Sequence, residues 1–393
     1  MFDKRTVFIL GAGASWHYNY PTGEDLVKRI IQKTEIIITC FENENNNRHV
    51  AQPEEMPIFF ENKFGRPGPD HVEILDLLRS FIERLSQVDP PVIDYFLDWN
   101  QDLQDIGRLM IAWVILDRER EYLVNGLVNY NHKRVYDESP FETNPIKNIR
   151  NFKDNWYRFI LYKMVSGCKQ DTSLKRNQIK FITFNYDVSL ETYLYRGLKA
   201  IEFLNIKETI ISEFLKNKFV HMYGQIREDH FSQFQPIPKS NSDKRIRNYK
   251  KILDLAYAAS KGIRPIGSSD KDNQDAIQEA RDAIEWAEDI YILGYGFDEN
   301  NNRRLGLESL TPNEIQNQSD SKSTNKRVFF TNYGDANSVN KKAGYEFVRD
   351  QNLFIDSFRT PFSGSTGHRM WSVVYEKSIR NVYEALEKDF NLI

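Results

Sequence analysis

Cysteine is scarce in this sequence, since only Cys40 and Cys168 occur among 393 residues. Two cysteines cannot supply the paired CxxC motifs of a zinc ribbon, and they argue against a disulfide framework. No apolar stretch is long enough to span a membrane, and the apolar run at residues 7–10 is too short for a secretion signal. We therefore expect a soluble protein of the reducing cytoplasm, without membrane contact.

An excess of charge of either sign is also lacking. The formal net charge is −3 and the pI is about 6.2, so the chain has no overall attraction to nucleic-acid backbones or anionic membranes. We therefore expect no direct nucleic-acid binding. Hydrophobic residues make up 40% and charged residues 28%, which indicates a folded globular protein. The length favours one large domain with an insertion, or two domains.

Short apolar runs recur along the chain, separated by helical or loop segments. They lie at residues 7–10, 179–185, 219–223, 290–294 and 328–332. Runs of this kind are typical of strands buried on both faces of a parallel sheet. The sequence therefore predicts an α/β fold with a doubly wound, mostly parallel Rossmann-type sheet.

A helix is predicted directly after the first strand, because Thr22-Gly23-Glu24-Asp25 provides a capping residue and an acidic first turn. Apolar residues then repeat at helical spacing over residues 72–85, and apolar-rich stretches without strand alternation follow at 103–128 and 156–165. Residues 41–70 are rich in Asn, Glu, Pro and Gly and predict an irregular surface excursion. Residues 313–325 predict a solvent loop.

These patterns divide the chain into two parts. Residues 1–40 and 176–393 would form a discontinuous Rossmann-type domain, and residues 41–175 a mainly helical insertion. Because the insertion interrupts the core between its first helix and its second strand, we expect it beside the ligand crevice, as a lid or an oligomerisation surface.

The segment Gly11-Ala12-Gly13-Ala14-Ser15 lies between the first strand and the first helix. Small residues there let the backbone approach a pyrophosphate and direct N–H groups at it. Trp16 stands where the dehydrogenase fingerprint has its third glycine, and the loop is longer than in dehydrogenases, which argues against hydride transfer. A tight turn without a ligand is the alternative interpretation of this segment taken alone.

Two further segments follow predicted strands and carry polar side chains. In Thr183-Phe184-Asn185-Tyr186-Asp187, the Asn185 amide can hold a ribose hydroxyl or a water, and Asp187 can accept from a carboxamide. A helix cap is the alternative role for both residues. In residues 220–224, His221 and Tyr223 lie two positions apart, hence on one face of an extended strand. An imidazole is the better general base near neutral pH, so we favour His221 over Tyr223, and His17 is a second candidate imidazole.

The order of these segments resembles the sirtuin family. The Gly11–Ser15 segment followed by Pro21 is similar to the family's GAGxS…P opening, and residues 183–187 are similar to its T-x-N-x-D segment. In residues 220–224, Tyr223 stands where the family's catalytic histidine precedes glycine. Gly294-Tyr295-Gly296 and Asn332 fall where sirtuins contact the phosphate and adenosine side of NAD. The similarity covers residues 7–25 and 179–335.

Without a zinc ribbon and with a helical insertion, the chain looks like the prokaryotic sirtuin-like NAD hydrolases of antiphage defence systems. The resemblance implies NAD as substrate without a metal, cleavage of the nicotinamide–ribose bond, and NAD depletion in abortive infection under control of homo-oligomerisation or a partner such as a DNA-translocating ATPase. It implies catalytic roles for Asn185, His221, Tyr223 and Asp187. It implies NAD-binding roles for Gly11, Ala12, Gly13, Ser15, Pro21, Thr183, Gly294, Tyr295, Gly296 and Asn332. The alternatives are a catalytically silent NAD or ADP-ribose sensor and an NAD-dependent protein deacylase.

Overall fold

A six-stranded parallel sheet forms the centre of the molecule. The computed structural model describes residues 1–18, 20–45, 59, 63–64, 72–127, 155–168, 171–226, 254–265, 270–307, 327–331, 339, 342–343, 372–376 and 386. Within these residues the strands are β1 (Thr6–Leu10), β2 (Ile179–Thr183), β3 (Phe219–His221), β4 (Asp289–Leu293), β5 (Arg327–Thr331) and β6 (Ser372–Glu376). Their order, β3-β2-β1-β4-β5-β6, is that of the Rossmann fold. The doubly wound α/β fold is thereby confirmed.

The central strand β1 pairs in parallel with β2 on one side and β4 on the other. Thr6 lies opposite Ile179 in β2 and opposite Asp289 in β4. All five residues of β1 and all five of β4 are buried, as expected when helices cover both faces of a parallel sheet. Their apolar character follows from this double burial rather than from a single packed face.

One row of aromatic side chains crosses the sheet from strand to strand. The Phe8 ring stacks on Phe181 at 5.5 Å and on Tyr291 at 5.1 Å between ring centroids. The row continues to Phe219 at 4.5 Å and to Phe329 at 4.7 Å. These separations match the spacing of neighbouring strands, so the ladder supports the observed register from β3 to β5.

Helices cover the sheet and form the block that precedes β2. They are α1 (Gly23–Asn45), α2 (Val72–Val88), α3 (Ile93–Trp99), α4 (Gln104–Leu127), α5 (Trp156–Val165), α6 (Ser189–Ala200), α7 (Glu208–Lys216), α8 (Asp270–Trp286) and α9 (Glu299–Leu305). The helices predicted after the first strand and within the block correspond to α1, α2, α4 and α5. Thr22 accepts through its backbone oxygen from Leu26 N–H, as expected at the start of α1.

The helical block packs on the sheet domain and shares its apolar core. Helices α2, α3 and α4 all contact α1. Leu78, Met110 and Trp156 of the block are fully buried in the same apolar cluster as the strands. The Trp156 indole N–H donates to the Ala14 carbonyl oxygen at 2.9 Å, which joins α5 to the loop after β1. The block thus lies beside that loop, in agreement with the expectation from sequence.

Several details differ from expectation or fall outside the description. Helix α1 continues to Asn45, so the first residues of the predicted irregular segment 41–70 are helical. Phe59 in that segment is buried, edge-on to Tyr257. Strand β6 and helix α3 were not predicted. The expected solvent loop at 313–325 lies outside the described residues. In the described ranges, no helix is long and apolar enough to cross a bilayer.

Candidate functional site

A cavity of about 630 Å³ lies at the carboxyl ends of β1, β2 and β4. This is the topological switch point of the sheet, where doubly wound proteins bind ligands, and the volume is that of a small-molecule site. The lining residues come from the loops after these strands, from the start of α1 and from the helical block. They include Gly11, Ala12, Gly13, Ser15, Trp16, Tyr20, Pro21, Asp94, Tyr95, Asn185, Tyr186, Asp187, Tyr223, Gly294, Tyr295, Gly296, Asp298, Asn301 and Thr331.

The loop after β1 and the loop after β4 touch through their backbones. A Cβ atom on Gly13 would lie 2.9 Å from Gly294 Cα, and a Cβ atom on Gly11 would lie 2.7 Å from Tyr295 Cα. Gly294 has φ 58°, in the left-handed region that favours glycine. Glycine at these positions therefore permits the close approach of two backbones, which is a packing requirement.

The amides of the two loop glycines have partners within the protein. Gly11 N–H donates to the Leu293 carbonyl at 3.0 Å, and Gly13 N–H donates to the Gly294 carbonyl at 3.0 Å. The sequence pattern predicted that these N–H groups would face a pyrophosphate. Since both already donate to carbonyls at the end of β4 and in the loop that follows it, the structure gives these amides a role in joining the two segments, and Gly11, Ala12 and Gly13 all border the cavity.

Asn185 presents an unsatisfied acceptor at the end of β2. Its backbone N–H donates to Thr183 Oγ1 at 3.1 Å, and its side-chain Nδ2 donates to Ser15 Oγ at 3.3 Å. Its Oδ1 atom is buried without a hydrogen-bond partner in the described part of the chain. A buried acceptor without a donor is costly, so this oxygen is suited to receive a hydroxyl or water proton from a ligand. Thr183 itself lies behind the lining and orients Asn185.

Asp187 fixes the turn that leads into α6 and also borders the cavity. Its Oδ1 accepts from Ser189 N–H at 3.1 Å, which forms a turn leading into α6, and it also accepts from the Ser189 hydroxyl. The residue lines the cavity at the same time. Burial raises the pKa of Asp187 above its usual range, the Ser189 hydroxyl opposes this shift, and the Glu191 charge adds to it. A hydrogen bond with Ser15 favours the ionised form.

Ser15 connects the two sequence motifs of the site. Its hydroxyl is the acceptor for Asn185 and a partner of Asp187, so one side chain on the β1 loop fixes two side chains on the β2 loop. Ser15 is buried, and its position follows from two short 3-10 turns, Ala12–Ala14 and Trp16–Tyr18. Pro21 lines the cavity after these turns. The side chain of His17 lies outside the described residues.

His221 and Tyr223 have different neighbours, although their spacing predicted a shared face. His221 Nε2 lies 2.6 Å from Glu191 Oε1 on α6; Glu191 is buried and His221 is partly buried. His221 is not among the described residues that line the cavity, whereas Tyr223 is. Strand β3 ends at His221 and Tyr223 lies in the turn that follows, so the alternation of an extended strand does not continue to Tyr223.

Tyr223 faces the cavity as a neutral phenol. Its hydroxyl donates to Asn301 Oδ1 near the start of α9. Burial, followed by the charge of Asp94, raises the pKa of Tyr223 well above its ordinary value. At neutral pH the side chain is therefore a hydrogen-bond donor rather than a base.

The helical block supplies the cavity wall that the motifs did not reveal. Asp94 and Tyr95 of α3 both line the cavity. The Tyr186 hydroxyl donates to Asp94, and the Tyr95 hydroxyl donates to Asp298. Burial and then the hydrogen bond to Asp298 raise the pKa of Tyr95 to about 12. Two phenol–carboxylate contacts therefore join α3 to the loops of the sheet domain across the cavity.

The loop after β4 forms the opposite side of the site. Gly294 N–H donates to Thr331 Oγ1 at 2.9 Å, which ties this loop to the end of β5. Tyr295 donates to Asn302 at 3.0 Å and is buried, while Gly296 is exposed at the cavity. Asn332, which was assigned to the adenosine side, lies outside the described residues.

The charge of the lining is acidic. Asp94, Asp187 and Asp298 contribute carboxylates, and the lining that the structure describes contains no Lys, Arg or His. No group of three or more His, Cys, Asp or Glu side chains arranged to hold a metal ion occurs among the described residues. Such a lining favours cationic character in the ligand and would leave phosphate groups to neutral donors.

The strand order and the position of the cavity define the class of protein: a Rossmann-like doubly wound α/β protein with a cavity of small-molecule size at its switch point. Comparison of the chain with family models, with curated proteins and with solved structures finds no match. The chemistry of the site therefore carries the functional interpretation.

Proposed function

We propose that the chain binds NAD in this cavity and hydrolyses the bond between nicotinamide and ribose, yielding ADP-ribose and nicotinamide. The observation that carries the proposal is the buried, unpartnered Oδ1 of Asn185 at the strand ends, beside a glycine loop of the dinucleotide-binding type. An amide oxygen there can accept from a ribose hydroxyl or from the attacking water without the desolvation cost of a buried charge.

The reaction separates charge in a way that suits an acidic cavity. The bond between ribose C1′ and the pyridinium nitrogen breaks, and its electron pair returns to the ring, so that nicotinamide leaves as a neutral molecule. The ribose develops oxocarbenium character, a water oxygen bonds to C1′, and one proton is released. Carboxylates in the wall stabilise the positive charge that develops on the ribose.

Two side chains have roles at the nicotinamide end of the substrate. Asn185 orients the ribose hydroxyl or the attacking water through Oδ1. Asp187 accepts from the carboxamide N–H₂ of nicotinamide, for which its carboxylate is held by Ser189. Tyr223, as a neutral phenol, donates hydrogen bonds in the wall, and His221 acts at most indirectly because Glu191 holds it away from the lining.

A second candidate function is a sensor that binds NAD or ADP-ribose without cleaving it. The favouring observation is that the described lining lacks an imidazole, and that Tyr223, which stands where the resemblance to sirtuins would put a catalytic histidine, is a phenol whose pKa is raised. Hydrolysis through an oxocarbenium-like transition state depends less on a strong base than direct displacement does, so we favour the hydrolase.

The biological setting extends the proposal. An unrestrained NAD hydrolase would exhaust the NAD of its cell, so the activity would be held in check by homo-oligomerisation or by a partner such as a defence-system ATPase. Release of that restraint during phage infection would deplete NAD. The helical block, which reaches the cavity through α3, is the element through which such control would act.

The test is nicotinamide release from NAD, followed by chromatography on the purified full chain at several protein concentrations. We expect release by the unaltered chain and its loss in Asn185→Ala. Asn217→Ala, which removes an exposed asparagine at the end of α7, is the matched control. Calorimetric titration with NAD is run in parallel. NAD binding without nicotinamide release at any concentration would establish the sensor and reject the hydrolase.

Variants of the two strand-end residues assign their roles. We expect Tyr223→Phe to lower the rate modestly, since the phenol acts by hydrogen bonding, and His221→Gln to act through stability rather than through the chemical step. A complete loss of release in His221→Gln with unchanged NAD binding and unfolding would restore the histidine as the base and reject our assignment.

A further inference from the structure

A directed chain of hydrogen bonds runs from the helical block to Asp187. The Ser189 hydroxyl donates to Asp187 Oδ1, and the Tyr157 hydroxyl lies 2.6 Å from Ser189 Oγ. Because the single Ser189 hydroxyl proton is directed at the carboxylate, the phenol of Tyr157 must be the donor to Ser189 Oγ. The chain therefore runs in one direction, from Tyr157 to Ser189 to Asp187.

All three members of this chain are buried, with exposed fractions of 2% for Tyr157, 2% for Ser189 and 6% for Asp187. The Tyr157 ring is fixed by stacking on Tyr18 at 3.6 Å between centroids and by an edge contact with Tyr193. Tyr157 and Ser189 are not among the described cavity-lining residues, whereas Asp187 is. The first two residues can therefore act on a ligand only through the carboxylate.

We propose that Tyr157 and Ser189 are positioning residues, which hold the Asp187 carboxylate as a fixed acceptor for a primary carboxamide on the ligand. This inference rests on the proposed function, in which that carboxamide is the nicotinamide group. Donors that point at a carboxylate favour its ionised form. The ionised carboxylate is an acceptor only, so it can accept from the carboxamide N–H₂, whereas the protonated acid would present an O–H group of its own. The helical block thus contributes to the site without touching the ligand.

The surroundings of Asp187 determine how the inference can be tested. The titratable groups around it in the described structure are Glu191 on α6, which follows Asp187, His221 of β3, which pairs with Glu191, and Tyr157 from α5. Removal of the Ser189 hydroxyl eliminates a contact that favours the ionised carboxylate. The Asp187 pKa should then rise, and substrate capture should be lost at a higher pH.

The first experiment measures kcat/KM for nicotinamide release against pH. In Ser189→Ala and Tyr157→Phe we expect the acid limb of the kcat/KM profile to move to higher pH by about one unit. On that limb kcat/KM should therefore be about tenfold lower, and the change should come from KM more than from kcat. Ser189→Thr should restore the profile. Tyr162→Phe, on the exposed side of α5, and Ser260→Ala, which removes another buried hydroxyl, are the matched controls. A uniform loss at all pH values would reject the inference.

The second experiment does not depend on NAD. Because burial raises the folded-state pKa of Asp187, its contribution to stability is complete below the unfolded pKa of about 3.9 and is lost as pH rises through the folded pKa. In thermal unfolding, Ser189→Ala should extend this loss of stability to higher pH than in the unaltered chain. When both chains also carry Asp187→Asn, their pH dependences should no longer differ. An unchanged pH dependence would overturn the inference. If the unfolding experiment gives the expected pH dependence but the chain releases no nicotinamide, only the proposed function is rejected.

Discussion

Replacing Gly294 by alanine tests the contact between the loop after β1 and the loop after β4. The new Cβ would lie 2.7 Å from Gly13 Cα and closer still to Ala14 N, and the residue would have to keep φ at 58°. A left-handed conformation costs a non-glycine residue about 1–2 kcal/mol, and forcing extra volume between packed backbones costs about 1–3 kcal/mol. The expected loss of stability is therefore about 2–5 kcal/mol.

Gly296 provides the matched control two residues later. A Cβ there has no atom within 4 Å, and the residue is not among those with positive φ in the described chain. We expect Gly296→Ala to change stability by less than about 0.5 kcal/mol, because exposed substitutions without strain have small effects. Its methyl group would border the cavity, so its effect should appear in ligand binding instead.

Thermal unfolding followed by circular dichroism measures both variants. Unfolding entropies of about 2.1 cal/mol/K per residue make the 393-residue chain lose roughly 1 °C in Tm for each ~0.8 kcal/mol. Gly294→Ala should then melt about 2–6 °C below the unaltered chain, and Gly296→Ala within about 1 °C of it. If both variants melt together, the two loops do not meet as closely as the structure shows, and the steric reasoning is refuted.

Three further predictions concern other contacts. Trp156→Phe leaves the Ala14 carbonyl without its buried donor and should cost about 1–3 kcal/mol in urea unfolding; a change below ~0.5 kcal/mol would contradict that contact. Because the folded-state pKa of Tyr95 is raised to about 12, the free energy of unfolding should fall as pH rises above about 10. The fall should be less steep in Tyr95→Phe, and the same slope in both proteins would argue against the shift. Arg5→Ala breaks a half-exposed ion pair with Glu288 and should cost no more than about 1 kcal/mol by the same urea measurement.

The strands of the sheet could be predicted because parallel strands buried on both faces are continuous apolar runs. The predicted runs overlap β1 to β5. Strand β6 has only Val373, Val374 and Tyr375 between Ser372 and Glu376, and three apolar residues are too few to distinguish a strand from a loop. Its parallel pairing with β5 determines its conformation, and that pairing is a long-range property.

Only those parts of the site that lie in loops directly after strands could be predicted from the sequence. Loops after parallel strands meet at one edge of the sheet, so the sequence brought Ser15, Asn185 and Gly294 together correctly. Asp94 and Tyr95 were missed because they come from α3, whose place over the cavity depends on packing between helices. The pattern of Ile93, Phe96 and Leu97 after two prolines could have indicated the helix, although not its position.

The strand order also has a consequence for folding during synthesis. Thr6 in β1 pairs with Ile179 in β2 and Asp289 in β4, so the second neighbour of this strand is synthesised 283 residues later, since 289 − 6 = 283. At about 5–20 residues per second, that interval lasts roughly 15–60 s. Throughout it, the apolar segment Thr-Val-Phe-Ile-Leu has an unpaired edge, which promotes aggregation. Efficient production of this protein should therefore depend on chaperones that bind early apolar segments, and slower translation should lower the yield of folded chain.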